Sequence, residues 1–335
     1  MLGRGLLLER ALLAATAVPF LLAAAAAPAG ADGQVVFRFT DREIVESSGL
    51  AVVDGLFVTV NDSGDTGRVF AVDPATGDTV GVTTWAEEPV DVEAVAPAGD
   101  GSVWVGDIGD NPRARDSVAV ARVPVGRGDR DVTGDAGVAT YTLVHPDGPQ
   151  DAESLLVEPG TGRLVVVSKT IFGAEVLVAP ERLDPDGPNE LTPVGAALPV
   201  ATDGAFFPDG RHLVLRDYSR AVVYTWPDLA VVGEVRLPEQ QQGEGIAVDR
   251  RDRVFVSSEG VEAPVLRIDL PADLRAAMAP DAPAPDPSTN PDAGDGLGVD
   301  LTAVDEAERP EWPWFLGGFL ALGVLLALLR SLRPR

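Results

Sequence analysis

Between Gln34 and Leu274 the apolar residues fall in short Val-rich runs that alternate with small or polar residues and are broken by Gly, Asp and Pro. No stretch of this span repeats apolar positions at the spacing of an amphipathic helix. Short alternating runs bounded by turn residues predict strands, so the span reads as all-β.

The runs also recur as a unit, and five copies can be overlaid. Each opens on an acidic or small residue and a short strand: Ser48–Val52, Glu93–Ala96, Glu153–Val157, Asp203–Phe206 and Glu244–Val248. A turn follows, as at Asp54-Gly55, Asp100-Gly101, Gly160-Thr161-Gly162, Asp209-Gly210 and Arg251-Asp252. A second strand comes next (Leu56–Val60, Val103–Val105, Leu164–Val167, Leu213–Leu215, Val254–Val256). A third follows (Val69–Val72, Val118–Val123, Val176–Val178, Ala221–Thr225, Val265–Ile268). A weaker fourth is seen at Ala139–Val144 and Val231–Leu237.

The openings lie roughly 40 to 60 residues apart, the period of a four-stranded sheet that cannot cover both its faces alone. Radial stacking covers them, which predicts a β-propeller over 34–274. The last copy lacks a fourth strand, and Val35–Phe39 belongs to no earlier copy, so the N-terminal strand is expected to close the ring. That makes five blades, or six if the stretch 124–150 hides another. A two-sheet sandwich is the alternative fold, and the repeat argues against it. The overlaid pattern resembles secreted YVTN/NHL-like (WD40-like) propellers over about 240 residues, without the Trp-Asp dipeptide of true WD40 repeats. More loosely, it is similar to the esterase-like propeller proteins grouped with phytase. The resemblance implies the fold; function does not travel with it.

The two ends carry a different pattern. Residues 1–31 combine Arg4 and Arg10, an apolar run Ala11–Ala27 and the small residues Ala29-Gly30-Ala31, the layout of a cleaved signal peptide. At the other end, 312–332 is apolar, with Trp312 and Trp314 at one side and Arg330, Arg333 and Arg335 at the other. This is the signature of a single transmembrane helix whose basic tail, 333–335, stays in the cytoplasm. The Pro-, Ala- and Asp-rich stretch 275–311 reads as an extended stalk. The expected localisation is the cell membrane, single-pass, with an extracellular ectodomain.

Composition sharpens the functional question. The chain has 335 residues, no cysteine and a net charge of −26. The N-terminal 31 residues carry +1 and the tail +3, leaving −30 between them. Disulfides, thiolate metal sites and cysteine nucleophiles are excluded. Such a surface repels phosphate backbones, so no nucleic-acid partner is expected, and cations or basic partners are favoured.

In a propeller the inner strand starts at one rim of the channel and the second strand ends at the same rim. Two positions per repeat should therefore meet there. The first ring is Ser48, Glu93, Glu153, Asp203 and Glu244, with Glu46, Asp91 and Asp151 just above. The second is Asp62, Asp107, Lys169, Asp217 and Ser258, and Lys169 is the only lysine. Carboxylates crowded this way must protonate, pair with a base or bind a cation. Lys169 and Arg216 can neutralise two, and with Asp217 they are candidate ligand-binding residues. Ca²⁺, which takes six to eight oxygens, is the candidate cofactor. Its candidate ligands are Asp62, Asp65, Asp107, Asp110, Glu93, Glu153 and Glu244, including the loops Asn61–Asp65 and Gly106–Asn111. The bland reading is that Asp and Gly there only build turns.

Two functions from different classes follow. One is a cell-surface binding or sensing propeller whose acidic mouth takes a cationic or polyhydroxylated ligand or a protein partner. The other is a carboxylate- or metal-dependent hydrolase, a glycosidase or an esterase/phosphatase, with Glu93, Glu153, Asp203 and Glu244 as candidate catalytic acids. Few aromatics near the mouth and few bases weigh against the second. Ser-His-Asp chemistry is not expected: His212 is placed at the opposite rim, and His145 in a solvated loop.

Overall fold

The protein is described by a computed structural model covering residues 33–280, except 63, 87 and 134–136. The stretches whose sequence reads as a signal peptide (1–31), a transmembrane helix (312–332) and its basic tail (333–335), and all but the first residues of the expected stalk (275–311), lie outside the described residues. Among the described residues no helix is long and apolar enough to cross a membrane.

Twenty-two strands, β1–β22 in chain order, form five sheets among the described residues. Blade 1 holds β2 (Ser47–Val53), β3 (Leu56–Asn61), β4 (Gly67–Val72) and β5 (Thr79–Ala86). Blade 2 holds β6 (Val92–Pro97), β7 (Ser102–Asp107), β8 (Val118–Pro124) and β10 (Ala139–Val144). Blade 3 holds β11 (Ala152–Val157), β12 (Leu164–Ser168), β13 (Ala174–Val178) and β15 (Thr192–Ala197). Blade 4 holds β16 (Asp203–Phe206), β17 (His212–Arg216), β18 (Arg220–Thr225) and β19 (Val231–Arg236). Blade 5 holds β20 (Ile246–Val248), β21 (Val254–Val256) and β22 (Pro264–Ile268), completed by β1 (Gln34–Arg38) antiparallel to β22.

The first strand of each blade is innermost, and β2, β6, β11, β16 and β20 pack in that order, with β20 returning to β2. The ring is thus a closed five-bladed propeller, and the N-terminal strand supplies the outer strand of blade 5 as the missing fourth strand required. The stretch 124–150 holds no sixth blade. It gives blade 2 its fourth strand, and β9 (Arg130–Asp131) adds a short parallel edge to β5. The short β14 (Pro188–Glu190) adds a similar edge to β10.

Five apolar clusters account for the core, and each lies between two neighbouring blades. The cluster that closes the ring joins blades 5 and 1 through Phe37, Phe57 and Phe255. Their rings meet edge to face at centroid distances of 5.1 and 5.0 Å. Burying both faces explains why β3 and β7 read as near-continuous apolar runs, whereas the more peripheral β5 alternates. The turn from β2 to β3 is a two-residue hairpin at Asp54 and Gly55, both at positive φ (49° and 84°). That geometry matches the strand twist and selects an Asp-Gly pair. One helix, α1 (Ala272–Ala277), follows the last blade, and Leu274 buries its side chain on blade 4 beside Gly233. This apolar anchor extends the ordered domain past 274, into the stretch read from composition as stalk.

Candidate functional site

The inner strands do not enter the channel mouth as regular ladders. The pairing of β2 with β3 shifts register between Ser48 and Leu50, that of β6 with β7 between Val92 and Ala94, and that of β11 with β12 between Ala152 and Ser154. The extra residue in each case is Gly49, Glu93 or Glu153. A bulge leaves its residue out of the ladder and re-aims its side chain, which is how two glutamates on different blades turn toward one another. Gly49 takes this place in blade 1 (φ 72°) because a Cβ there would lie 2.8 Å from the Val95 amide nitrogen.

A repeated backbone bond ties the second ring to the residues just above the first. Asp62 N donates to Glu46 O (3.0 Å), Gly109 N to Asp91 O (3.1 Å), Lys169 N to Asp151 O (2.9 Å) and Glu259 N to Gln242 O (3.0 Å). The structural equivalents of Asp62 and Lys169 are therefore Gly109 and Glu259, not Asp107 and Ser258 as the sequence overlay implied. Loops of unequal length after the second strand caused the offset. The glycine matters: a Cβ on Gly109 would sit 2.4 Å from Asp91 Oδ2 and 2.9 Å from Glu93 Cγ. Blade 2 gives up its side chain at this position, and the Asp91 carboxylate takes the space.

Asp62, Asp91 and Glu93 each bring one carboxylate oxygen within 4.8 Å of the others. Glu93 is buried and the two aspartates half-buried. Ser48 Oγ also reaches Glu93, donating within 2.8 Å of its carbonyl and 3.2 Å of Oε2. Burial, then the Asp62 and Asp151 charges, push Asp91 up to about 6. Burial, then Glu153, Asp62 and Asp91, push Glu93 up to about 10. Without a counter-ion the cluster is partly protonated at neutral pH.

Beside it lies a second group. Lys169 Nζ pairs with Glu153 Oε1 and donates to Tyr218 Oη at 3.0 Å, 5.4 Å from that ring's centroid. Burial opposes the ammonium charge, but Glu153 outweighs it and Lys169 stays protonated. Glu153 rises to about 8 through burial, against the pull of Lys169. Glu244 rises to about 7, also through burial and also against Lys169.

Asp203 and Arg216 are placed differently. Both are fully buried. Asp203 accepts from the amides of Gly204 (2.7 Å), Ile246 (2.8 Å) and Leu50 (3.2 Å), on blades 4, 5 and 1. Arg216 donates to the carbonyls of Asp217 (3.1 Å), Gly245 (3.1 Å) and Ser257 (3.3 Å) and to Gln240 Oε1 (3.2 Å). Burial lowers it to about 10. These two residues hold blades together below the mouth rather than facing it.

The remaining candidates sit in local structure. Asp65 grips Arg68 with both oxygens and accepts from Asn61. Asp107 accepts from the Val90 and Asp91 amides and pairs with Arg115 at 2.9 Å. Asp110 accepts from the Ala114 and Arg115 amides, and Asp217 from Ser219 and Arg220. Ser258 is buried. His212 lies at the opposite rim, bonded to Asp209 at 2.7 Å. His145 is buried, not solvated, with burial lowering its pKa.

At the opposite end of the channel is a cavity of about 500 Å³, lined by the far ends of the inner strands of all five blades. Its walls are mostly apolar, as at Leu50, Val95, Leu156 and Phe206. Leu50 and Gly204, whose amides Asp203 holds, line it, so that carboxylate separates the cavity from the acidic mouth. This cavity and the titratable cluster are at different ends. The chemistry lies with the carboxylates, because the cavity brings together no comparable set of perturbed groups.

No protein-family description matches the chain, and no curated protein sequence is similar to it. Among solved structures it is similar to the PQQ-bound form of aldose sugar dehydrogenase from Streptomyces coelicolor. That match has 13% identity and a TM-score of 0.42, covering 73% of this chain and 99% of that one. A glucose dehydrogenase matches at 13% identity and a TM-score of 0.43, covering 72% and 100%. A nidogen/laminin complex matches at 14% and 0.42, covering 66% and 74%. The five-bladed assignment itself rests on the strand pairing and the closed ring of inner strands.

Proposed function

We propose that this propeller is a binding module, displayed outside the cell by its C-terminal helix, that holds a hard divalent cation at its acidic mouth. Ca²⁺ fits the donor set: carboxylate oxygens only, from Asp62, Asp91 and Glu93, with no nitrogen or sulfur ligand beside them. The carrying observation is the convergence of those three oxygens within 4.8 Å at the place where Gly109 makes room. Bound there, the cation would supply positive charge that lets all three groups ionise together and an open coordination face for a ligand's oxygens. The chain's own residues orient that face: Ser48 fixes Glu93, and Lys169 neutralises Glu153 next door.

The reading makes a pH-dependent prediction. In the folded protein Asp91, Glu93, Glu153 and Glu244 titrate at about 6, 10, 8 and 7, all above ordinary carboxylate values. Above the unfolded-state values the folded state binds more protons than the unfolded one, so stability falls as pH rises. The metal-free full chain should melt at a lower temperature at pH 8 than at pH 5. Millimolar Ca²⁺ at pH 8 should raise the melting temperature by about 5 °C. At pH 5 it should do much less, because protons occupy the ligands. Melting at pH 8 that ignores both Ca²⁺ and EDTA would rule the cation site out.

A further inference from the structure

The largest exposed apolar side chains are not scattered. Among the described residues they fall in two places. Val35, Val36 and Val194 lie on the outer strands β1 and β15. The other six all lie on the loops of the acidic face, and every blade contributes: Val45 before β2, Val90 before β6, Ile171 and Phe172 after β12, Tyr218 after β17 and Val261 after β21. Phe172 is 94% exposed, Ile171 73% and Val90 64%. A rim turn gains little in folding from side chains as exposed as Phe172, Ile171 and Val90, and every blade places at least one exposed apolar residue beside the same mouth.

Within this crown the charge is negative. Burial, then Asp62 and Glu46, raise the Glu259 pKa, and Glu259 in turn adds to burial in raising that of Glu244. We propose that the acidic face docks a protein partner that sets a basic side chain against Glu244 and Glu259, beside the cation triad, and rests apolar side chains on the crown. This rests on the mouth being the binding site and names what it binds. Complementarity argues for that occupant. An anionic lipid surface or a second copy of this chain, net charge −26, would bring like charge to a mouth already crowded with carboxylates. An inserted arginine would pair with Glu244 and Glu259, whose charges repel one another outside the Asp62, Asp91 and Glu93 triad, and Phe172 offers a face on which a guanidinium can stack.

The test uses the purified full chain and fluorescently labelled peptides built from Arg-Leu-Gly, Arg-Gly-Gly or Glu-Leu-Gly repeats. The Arg-Leu-Gly peptide should bind, and the others should bind markedly less. The Ile171→Ser, Phe172→Ser double variant should lose about tenfold or more of that affinity while keeping the wild-type melting temperature and its response to Ca²⁺. Equal affinity for the two arginine peptides, or unchanged affinity of the double variant, would overturn the docking surface. So would a variant that loses phosphatidylglycerol-vesicle binding or self-association while its peptide affinity stays unchanged. A normal Ca²⁺ response with no peptide binding ends this inference alone; peptide binding without a Ca²⁺ response ends only the cation site.

Discussion

Asp203→Ala is expected to cost about 3–5 kcal/mol of folding stability, because three amides lose a buried acceptor at once. Its two oxygens accept from amides on three blades, and the carboxyl group is fully buried. The substitution also removes the buried carboxylate that faces the Arg216 guanidinium, whose charge is otherwise met mainly by carbonyls and Glu244. Asp203→Asn keeps one acceptor oxygen and should lose less. Chemical denaturation measures both, and a loss below about 1 kcal/mol for the alanine variant, within the range of a single neutral hydrogen bond, would mean that the blades do not depend on this carboxylate.

Glu93→Gln should separate stability from binding. The amide resembles the protonated acid that burial and three neighbouring carboxylates already favour, so metal-free stability at pH 8 should rise or hold. Calcium affinity should fall roughly tenfold to a hundredfold, since charge count among the ligands sets Ca²⁺ affinity over decades. Asp91→Asn should act in the same direction. Calorimetric titration beside thermal melting reads both quantities. Unchanged affinity in both variants would remove the triad from any role in cation binding. A gain in stability with a loss in binding is the usual mark of a site held under strain for function.

Much of this was legible because propellers repeat. Five short-strand units at a regular spacing forced radial stacking, and the orphan strand at Val35–Phe39 forced closure. Strand polarity brought Glu93, Glu153 and Glu244 within reach of one another's charge, whereas Asp203, placed in the same ring, lies buried below the mouth. Finer features were lost to geometry that spacing does not encode. The bulges at Gly49, Glu93 and Glu153 move the inner strands by one residue relative to their partners, so Gly49 and not Ser48 is the counterpart of Glu93. Unequal loops hid Gly109 and Glu259 as equivalents of Asp62 and Lys169. The missing side chain of Gly109, beside an acidic residue two before a strand start, was the available clue to Asp91. Asp65, Asp107, Asp110 and Asp217 were drawn into the acidic set by residue type, and each mainly bonds nearby loops and turns, the ordinary work of aspartate after a strand.

The central claim is a location, so anomalous diffraction from crystals of the full chain grown with Ca²⁺ tests it most directly. The account predicts one peak at the channel mouth, about 2.3–2.6 Å from oxygens of Asp62, Asp91 and Glu93. An empty mouth at saturating Ca²⁺, or a peak only among the turn aspartates such as Asp65 or Asp110, would contradict it.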